Sequence, residues 1–190
     1  MTVHVMIDLE TLGTRPGCVI LSIGAAVFNA AGLDGQFYVE IAQPTCRNAG
    51  LSVDQATLGW WMTQSEGAQA ILVRTRTLSF AEGAPKTLLD ALVDFSDWFE
   101  TLAEKGEATL AWGNGADFDL PILSEAYHRA GGRAPWKPYN GRCYRTLKNM
   151  RPGIKLASPE PGRAHNALYD AQIQAQHAVA LMDNLGMWDH

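Results

Sequence analysis

The stretch Val3-His4-Val5-Met6-Ile7-Asp8-Leu9-Glu10-Thr11, with Leu12-Gly13-Thr14-Arg15-Pro16-Gly17 after it, decides how the chain is read. Residues 3–10 are rich in β-branched and aliphatic side chains and predict a strand, and the glycines and proline of residues 13–17 predict a turn. Alternate residues of a strand share a face, so Asp8 and Glu10 point the same way. Two carboxylates at the end of an otherwise apolar strand repel each other, and burying them without a partner costs energy. The first basic residue after them is Arg15. A hard divalent cation, which takes oxygen ligands, is the natural partner. Two exposed acids at a strand end would read the same, so this pair alone does not make a metal site.

Working outward, residues 19–28 predict a second strand and residues 36–41 a third, with Gly32 and Gly35 in short spacers that suit antiparallel pairing. Residues 52–71 have helical character and contain Trp60-Trp61. A helix is expected over residues 85–102. Its apolar stripe is Leu88, Leu92, Phe95, Phe99 and Leu102, with Pro85 in the first turn and Gly106 after the end. Residues 109–112 predict a short buried strand, followed by a helix to about Ala130 that Gly131-Gly132 ends. Residues 133–163 hold five of the nine prolines and predict mostly loop, with one short helix around Thr146. A last helix is expected from Asn166 to Leu185, burying Ala167, Ala171, Ala175, Ala178, Val179, Met182 and Leu185. Strands, then helices, then strand–helix units make an α/β order, and no repeat or linker divides residues 1–190, which predicts one domain.

Two further clusters carry chemistry. In Trp112-Gly113-Asn114-Gly115-Ala116-Asp117-Phe118-Asp119 a buried strand gives way to a helix, a usual place for sites in α/β proteins. Asp117 and Asp119 are two apart, so a helix points them to different sides and only one serves a site; the other suits a helix N-cap. In His165-Asn166-Ala167-Leu168-Tyr169-Asp170 a loop histidine precedes a helix-borne carboxylate. The carboxylate can hold a metal rigidly while the imidazole, with an unperturbed pKa of about 6.5, takes a proton from water. His4, His128, His177 and His190 lack such a context and read as structural or exposed.

The formal net charge is −5, which argues against a general nucleic-acid binder. Its distribution argues otherwise, because Arg142, Arg145, Lys148, Arg151, Lys155 and Arg163 are opposed locally only by Glu160. Such a segment can hold phosphates on an acidic protein, although a solvated loop would read the same. No stretch reaches the roughly 18 apolar residues of a membrane helix, and no secretory signal pattern opens the chain. Cys18, Cys46 and Cys143 suggest neither a disulfide framework nor a zinc site and fit a cytoplasmic protein.

The ordered set D-x-E at residues 8–10, N-x-x-x-F-D at 114–119 and H-x-x-x-x-D at 165–170 resembles the DEDDh 3'-5' exonucleases. That superfamily includes RNase T, oligoribonuclease and the polymerase proofreading domains. Asp8-Leu9-Glu10-Thr11-Leu12-Gly13, Ile23-Gly24-Ala25, Trp60-Trp61 with Gln64, and His165-Asn166-Ala167 look most like its phage and bacterial branch, exodeoxyribonuclease VIII-like or actinobacterial exoribonuclease-like. The resemblance implies a ribonuclease-H-like fold: a five-stranded mixed sheet, its first three strands antiparallel, flanked by α-helices. It implies Asp8, Glu10, Asp119 and Asp170 as ligands of two Mg²⁺ or Mn²⁺ ions, with Asp8 bridging and Asp119 chosen over Asp117 because it follows Phe118. It implies His165 as general base and nucleoside 5'-monophosphates as products from the 3' end of single-stranded RNA or DNA. Leu12 is expected to wedge against the terminal base, Trp60 and Trp61 to stack on a base or lie in the core, and Arg142, Arg145 and Arg163 to meet phosphates. A homodimer is common in the superfamily. The alternatives are a non-catalytic binder of the same fold, which would have lost one of the five residues, and an endonuclease or resolvase, which His165 argues against.

Overall fold

A computed structural model of the chain describes residues 2–103, 109–158, 160 and 163–188. Strands β1 (Val3–Thr11), β2 (Ile20–Asn29), β3 (Gly32–Glu40), β4 (Thr109–Gly113) and β5 (Gly141–Cys143) form one sheet in the order β3-β2-β1-β4-β5. β1 and β2 pair antiparallel, as do β2 and β3, whereas β4 runs parallel to β1 and β5 parallel to β4. This is the mixed sheet that the resemblance implied. β3 starts earlier than its composition suggests, because the turn before it is tight. Asn29 pairs with Gly32, and Asn29 Oδ1 accepts from Ala31 N at 2.8 Å.

Between β3 and β4 lie α1 (Gln43–Asn48), α2 (Gln55–Trp61), α3 (Glu66–Arg74) and α4 (Leu88–Ala103); α1 was not foreseen. Thr63-Gln64-Ser65 divide the expected helical region in two, and Ser65 caps α3 by accepting from Ala68 N. α4 starts at Leu88 rather than Pro85. Lys86 is still in extended pairing, its N–H on Glu40 O and its carbonyl on Ala42 N, and the Thr87 hydroxyl accepts from Asp90 N. Gly106 and His190 lie outside the described residues. α5 (Asp119–Arg129) follows β4, α6 (Tyr144–Met150) follows β5, and α7 (Ala167–Leu185) ends the fold. β5 escaped the sequence reading because a strand of three residues carries no periodicity.

The two sheet faces bury separate cores. Val5, Ile7 and Leu9 of β1 face the helices α4 and α5, with Leu92, Phe95 and Ile122. Met6 faces α6 and α7, with Trp112, Tyr144, Ala171, Ala175 and Ala178. The alanines let α7 pack close to the sheet. His177 on the same helix pairs with the Tyr144 hydroxyl at 2.6 Å and with Ile154 O at 3.0 Å, tying the α6 segment to α7. Among the described residues no helix is long and apolar enough to cross a membrane.

Candidate active site

β1 and β4 stay paired only from Val3↔Thr109 to Met6↔Trp112. Beyond Met6 they part, and a crevice opens where one neighbour of β1 is antiparallel and the other parallel. In open α/β sheets such reversals are where ligands bind. Asp8 and Glu10 continue the Met6 side of β1 into that crevice, as strand alternation requires.

α7 brings its first turn to the same place. Asp8 pairs with Gly24 across the β1–β2 ladder, and a Cβ on Gly24 would sit 2.1 Å from the Ala167 carbonyl carbon. Only a glycine lets the helix start against the strand there. Asn166 caps α7 through Tyr169 N, and Asp170 follows in the first turn. Asp170 Oδ2 accepts from His165 N at 3.1 Å. His165 has φ 62°, the one positive value for a non-glycine among the described residues. Left-handed backbone of this kind costs of order 1 kcal/mol or more and persists where surroundings over-determine it. Here the surroundings are the Asp170 carboxylate and the rings of Trp60 and Trp61, whose centroids lie 5.0 Å and 6.0 Å from the imidazole. One ligand-type atom each from Glu10, His165 and Asp170 lie within 4.8 Å of one another.

Asp119 is the first residue of α5 and is 1% exposed. Its Oδ1 accepts from Leu9 N at 3.2 Å, a donor that the parting of β1 and β4 leaves without a ladder partner, and its Oδ2 accepts from Asn114 N at 2.7 Å. Asp117 is exposed and precedes the helix. Only the second acid of that pair turns inward. Gln174, one turn beyond Asp170, donates Nε2 to Asp8 Oδ1 at 2.8 Å. Sequence reasoning missed it; the signal was its i+4 spacing from Asp170 on the buried face.

The four carboxyls crowd each other. Burial first, then Asp119, Glu10 and Asp170, hold Asp8 well above the usual carboxylate range, against the Gln174 hydrogen bond. Burial, then Asp170 and Asp119, push Glu10 to about 8. Burial raises Asp119 to about 6, although the backbone donors and Arg145 oppose it. Burial also raises Asp170, against the pull of His165. Carboxyls under such mutual strain suit a divalent cation, and the all-oxygen set with one imidazole fits Mg²⁺ or Mn²⁺.

Asp8, Glu10, Asp170, His165 and Gln174 line a cleft of about 720 Å³ with Thr11, Gly13, Asp54, Thr57, Trp60, Asn114 and Phe118, whereas Asp119 is buried behind that lining, joined to it through Leu9 N and Asn114 N. The expected substrate contacts divide. Trp60 is 44% exposed at the cleft. Trp61 is core, 1% exposed, its Nε1 donating to Thr11 O at 2.8 Å. Leu12 is corrected. The β1–β2 register shifts at Glu10/Thr11, where Leu21 of β2 is left unpaired, and Leu12, past the end of β1, lies in the core at 1% exposure, so it presents no wedge to a base. Arg145 lies beside the cleft, Nη2 donating to Asn114 O at 2.7 Å over Gly115, whose φ is +139°. Arg163 stacks on Tyr169 and pairs with Glu160, beside a separate cavity behind His165. Arg142 is turned away, donating to Tyr139 O and Gly141 O.

A family model described as the 3'-5' exoribonuclease Rv2179c-like domain matches residues 3–182. The 3'-5' DNA exonuclease Cap18 of Escherichia coli is 24% identical over 198 residues, covering 96% of this chain and 92% of the relative. Among solved structures, the nuclease domain of 3'hExo, a DEDDh family member bound to rAMP, superposes with a TM-score of 0.60 at 13% identity, over 96% of this chain and 92% of that one. Exonuclease X in complex with 5' overhanging duplex DNA superposes with a TM-score of 0.57 at 17% identity, over 100% of this chain and 95% of that one.

Proposed function

Since the chain belongs to the family of 3'-5' exoribonuclease Rv2179c-like domains, and is thus a 3'-5' exonuclease of the DEDDh kind with a ribonuclease-H-like fold, we propose that it hydrolyses single-stranded RNA or DNA from the 3' end, releasing nucleoside 5'-monophosphates. The observation that carries this reading is the convergence of Glu10, His165 and Asp170 within 4.8 Å, beside Asp8. In this reading Asp8, Glu10, Asp119 and Asp170 would hold two divalent ions, Mg²⁺ or Mn²⁺, which would supply Lewis acidity for water and phosphate.

His165 accepts the proton of the attacking water. The water oxygen bonds to phosphorus, the bond from phosphorus to the O3' of the penultimate nucleotide breaks, and the phosphate leaves on the 5' side of the released nucleotide. The shortened strand keeps a 3'-hydroxyl, protonated from solvent. The Asp170 carboxylate fixes the His165 backbone, and Trp60 supports its ring by an edge contact. Trp60 offers its exposed part to a base, and the Arg145 guanidinium stands beside the cleft for a phosphate, with Arg163 a more distant second.

Single-stranded RNA and DNA carrying a 3' label, incubated with Mg²⁺ or Mn²⁺, test this. Labelled 5'-monophosphate should appear at once with the native chain and not with Asp8→Ala. Labelled internal fragments appearing first would favour an endonuclease. No mononucleotide from either polymer with either metal would sink the reading.

A further inference from the structure

Gln174 is 5% exposed on α7, and the chemistry above gives it no task. Its Nε2 donates to Asp8 Oδ1 at 2.8 Å, while its Oε1 is buried without a hydrogen-bond partner among the described residues. A buried acceptor with no donor is destabilising, and an apolar side chain of the same length would fill the space without that cost. Its neighbours on the buried face, Ala171, Ala175 and Ala178, are apolar, as this core demands. The amide therefore stands out as a group kept for its single bond, and that bond goes to Asp8.

We infer that Gln174 is a positioning residue for Asp8, setting the rotation of its carboxylate for cation binding. The terminal torsion of an aspartate is broad, so an unsupported carboxylate samples many rotations. Each carboxylate oxygen has two lone pairs. Donation to Oδ1 uses one of them and leaves the second lone pair of Oδ1 and the whole of Oδ2 for ions. Groups that orient metal-binding side chains matter nearly as much as the ligands themselves. The helix adds a second constraint. Residues four apart on a helix lie one above the other, so α7 delivers Asp170 toward Glu10 and Gln174 toward Asp8 from one rigid face. A displacement of α7 would disturb both carboxylates together.

The assignment rests on the reading of Asp8 as a cation ligand, and the test separates the two. Mn²⁺ binding is titrated by electron paramagnetic resonance on the full native chain and on Gln174→Met, which keeps the length and removes the donor. The expected result is a folded variant whose Mn²⁺ dissociation constant rises about tenfold or more, with kcat reduced and the oligonucleotide KM little changed. A folded variant that binds Mn²⁺ like the native chain overturns the role of Gln174 alone. A native chain that binds no Mn²⁺ overturns the metal-centre reading and this assignment with it. Should Gln174→Met fail to fold, the native chain still decides. Its Gln174 side-chain amide resonances are expected to shift on saturation with Mg²⁺, and resonances that stay in place overturn the assignment.

Discussion

Asp170 lines the cleft and Asp119 is buried behind it, and the two are held differently. Asp119 satisfies two backbone donors, Leu9 N and Asn114 N, on two separate elements, whereas Asp170 accepts one, from the His165 loop. Near pH 5 Glu10, pushed up to about 8, and Asp119, pushed up to about 6, are mostly protonated, and the repulsion within the cluster is muted. Under that condition Asp119→Ala is expected to lose about 1–3 kcal/mol in urea unfolding without metal, and Asp170→Ala clearly less. Equal losses would mean that Asp119 does not pin β1 to α5. His165→Ala should lower kcat by about 10²–10⁴-fold while Mn²⁺ affinity holds, if the imidazole acts on the proton. A parallel loss of Mn²⁺ binding would make it a ligand instead, which its distance to Glu10 and Asp170 also permits. At this scale the sequence was legible where side-chain direction follows from strand alternation, as for Asp8 and Glu10. It was illegible for Leu12, because β1 ends at Thr11 beside a register shift whose unpaired residue is on β2, and neither leaves a mark in residue type. It was equally blind to the backbone partners of Asp119, which exist only once β1 and β4 diverge.

At the scale of elements, α7 organises the cleft. It starts on Gly24 with no room for a side chain, carries Asp170 and Gln174 inward, and holds the α6 segment through His177. Gly24→Ala should force the first turn of α7 off β2 and destabilise the fold by about 1–3 kcal/mol, as overpacking does. Exonuclease activity should fall further than stability explains, because Asp170 and His165 move with that turn. A variant that unfolds and cuts like the native chain would show that the helix can shift without cost. The long helices α4 and α7 were readable from their apolar spacing, and the strands β1 and β2 from their β-branched runs. β5 and α1 were not, since three and six residues are too few to display a period. His177 read as structural or exposed in sequence and is buried against Tyr144, whereas Gln174 drew no notice there. Their burial follows from α7 being covered by the sheet on one side and α6 on another, wider contact than a single stripe suggests.

On the scale of the whole molecule, the fold invests stability in a cluster of like charges. Glu10 is raised from 4.5 to about 8, and its neighbours are raised with it. A carboxyl raised in the folded state binds more protons there than in the unfolded chain. Its contribution is full below the ordinary value and is lost as pH climbs through the folded one. The melting temperature of the metal-free protein should therefore fall as pH rises from about 5 to 8, and added Mg²⁺ should restore more of it at the upper end. A flat profile would mean that the cluster relaxes without ions. The five-stranded topology was legible only through the ordered motifs, since composition and periodicity left the strand pairings open. The central claim is that Asp8, Glu10, Asp119 and Asp170 build a divalent-cation centre at the parting of β1 and β4. Its most direct test is the anomalous difference map of a crystal soaked in Mn²⁺. The account expects two peaks about 3.5–4 Å apart among those four carboxylates. Manganese bound elsewhere, with none between Asp8 and Asp170 in an active preparation, would contradict it.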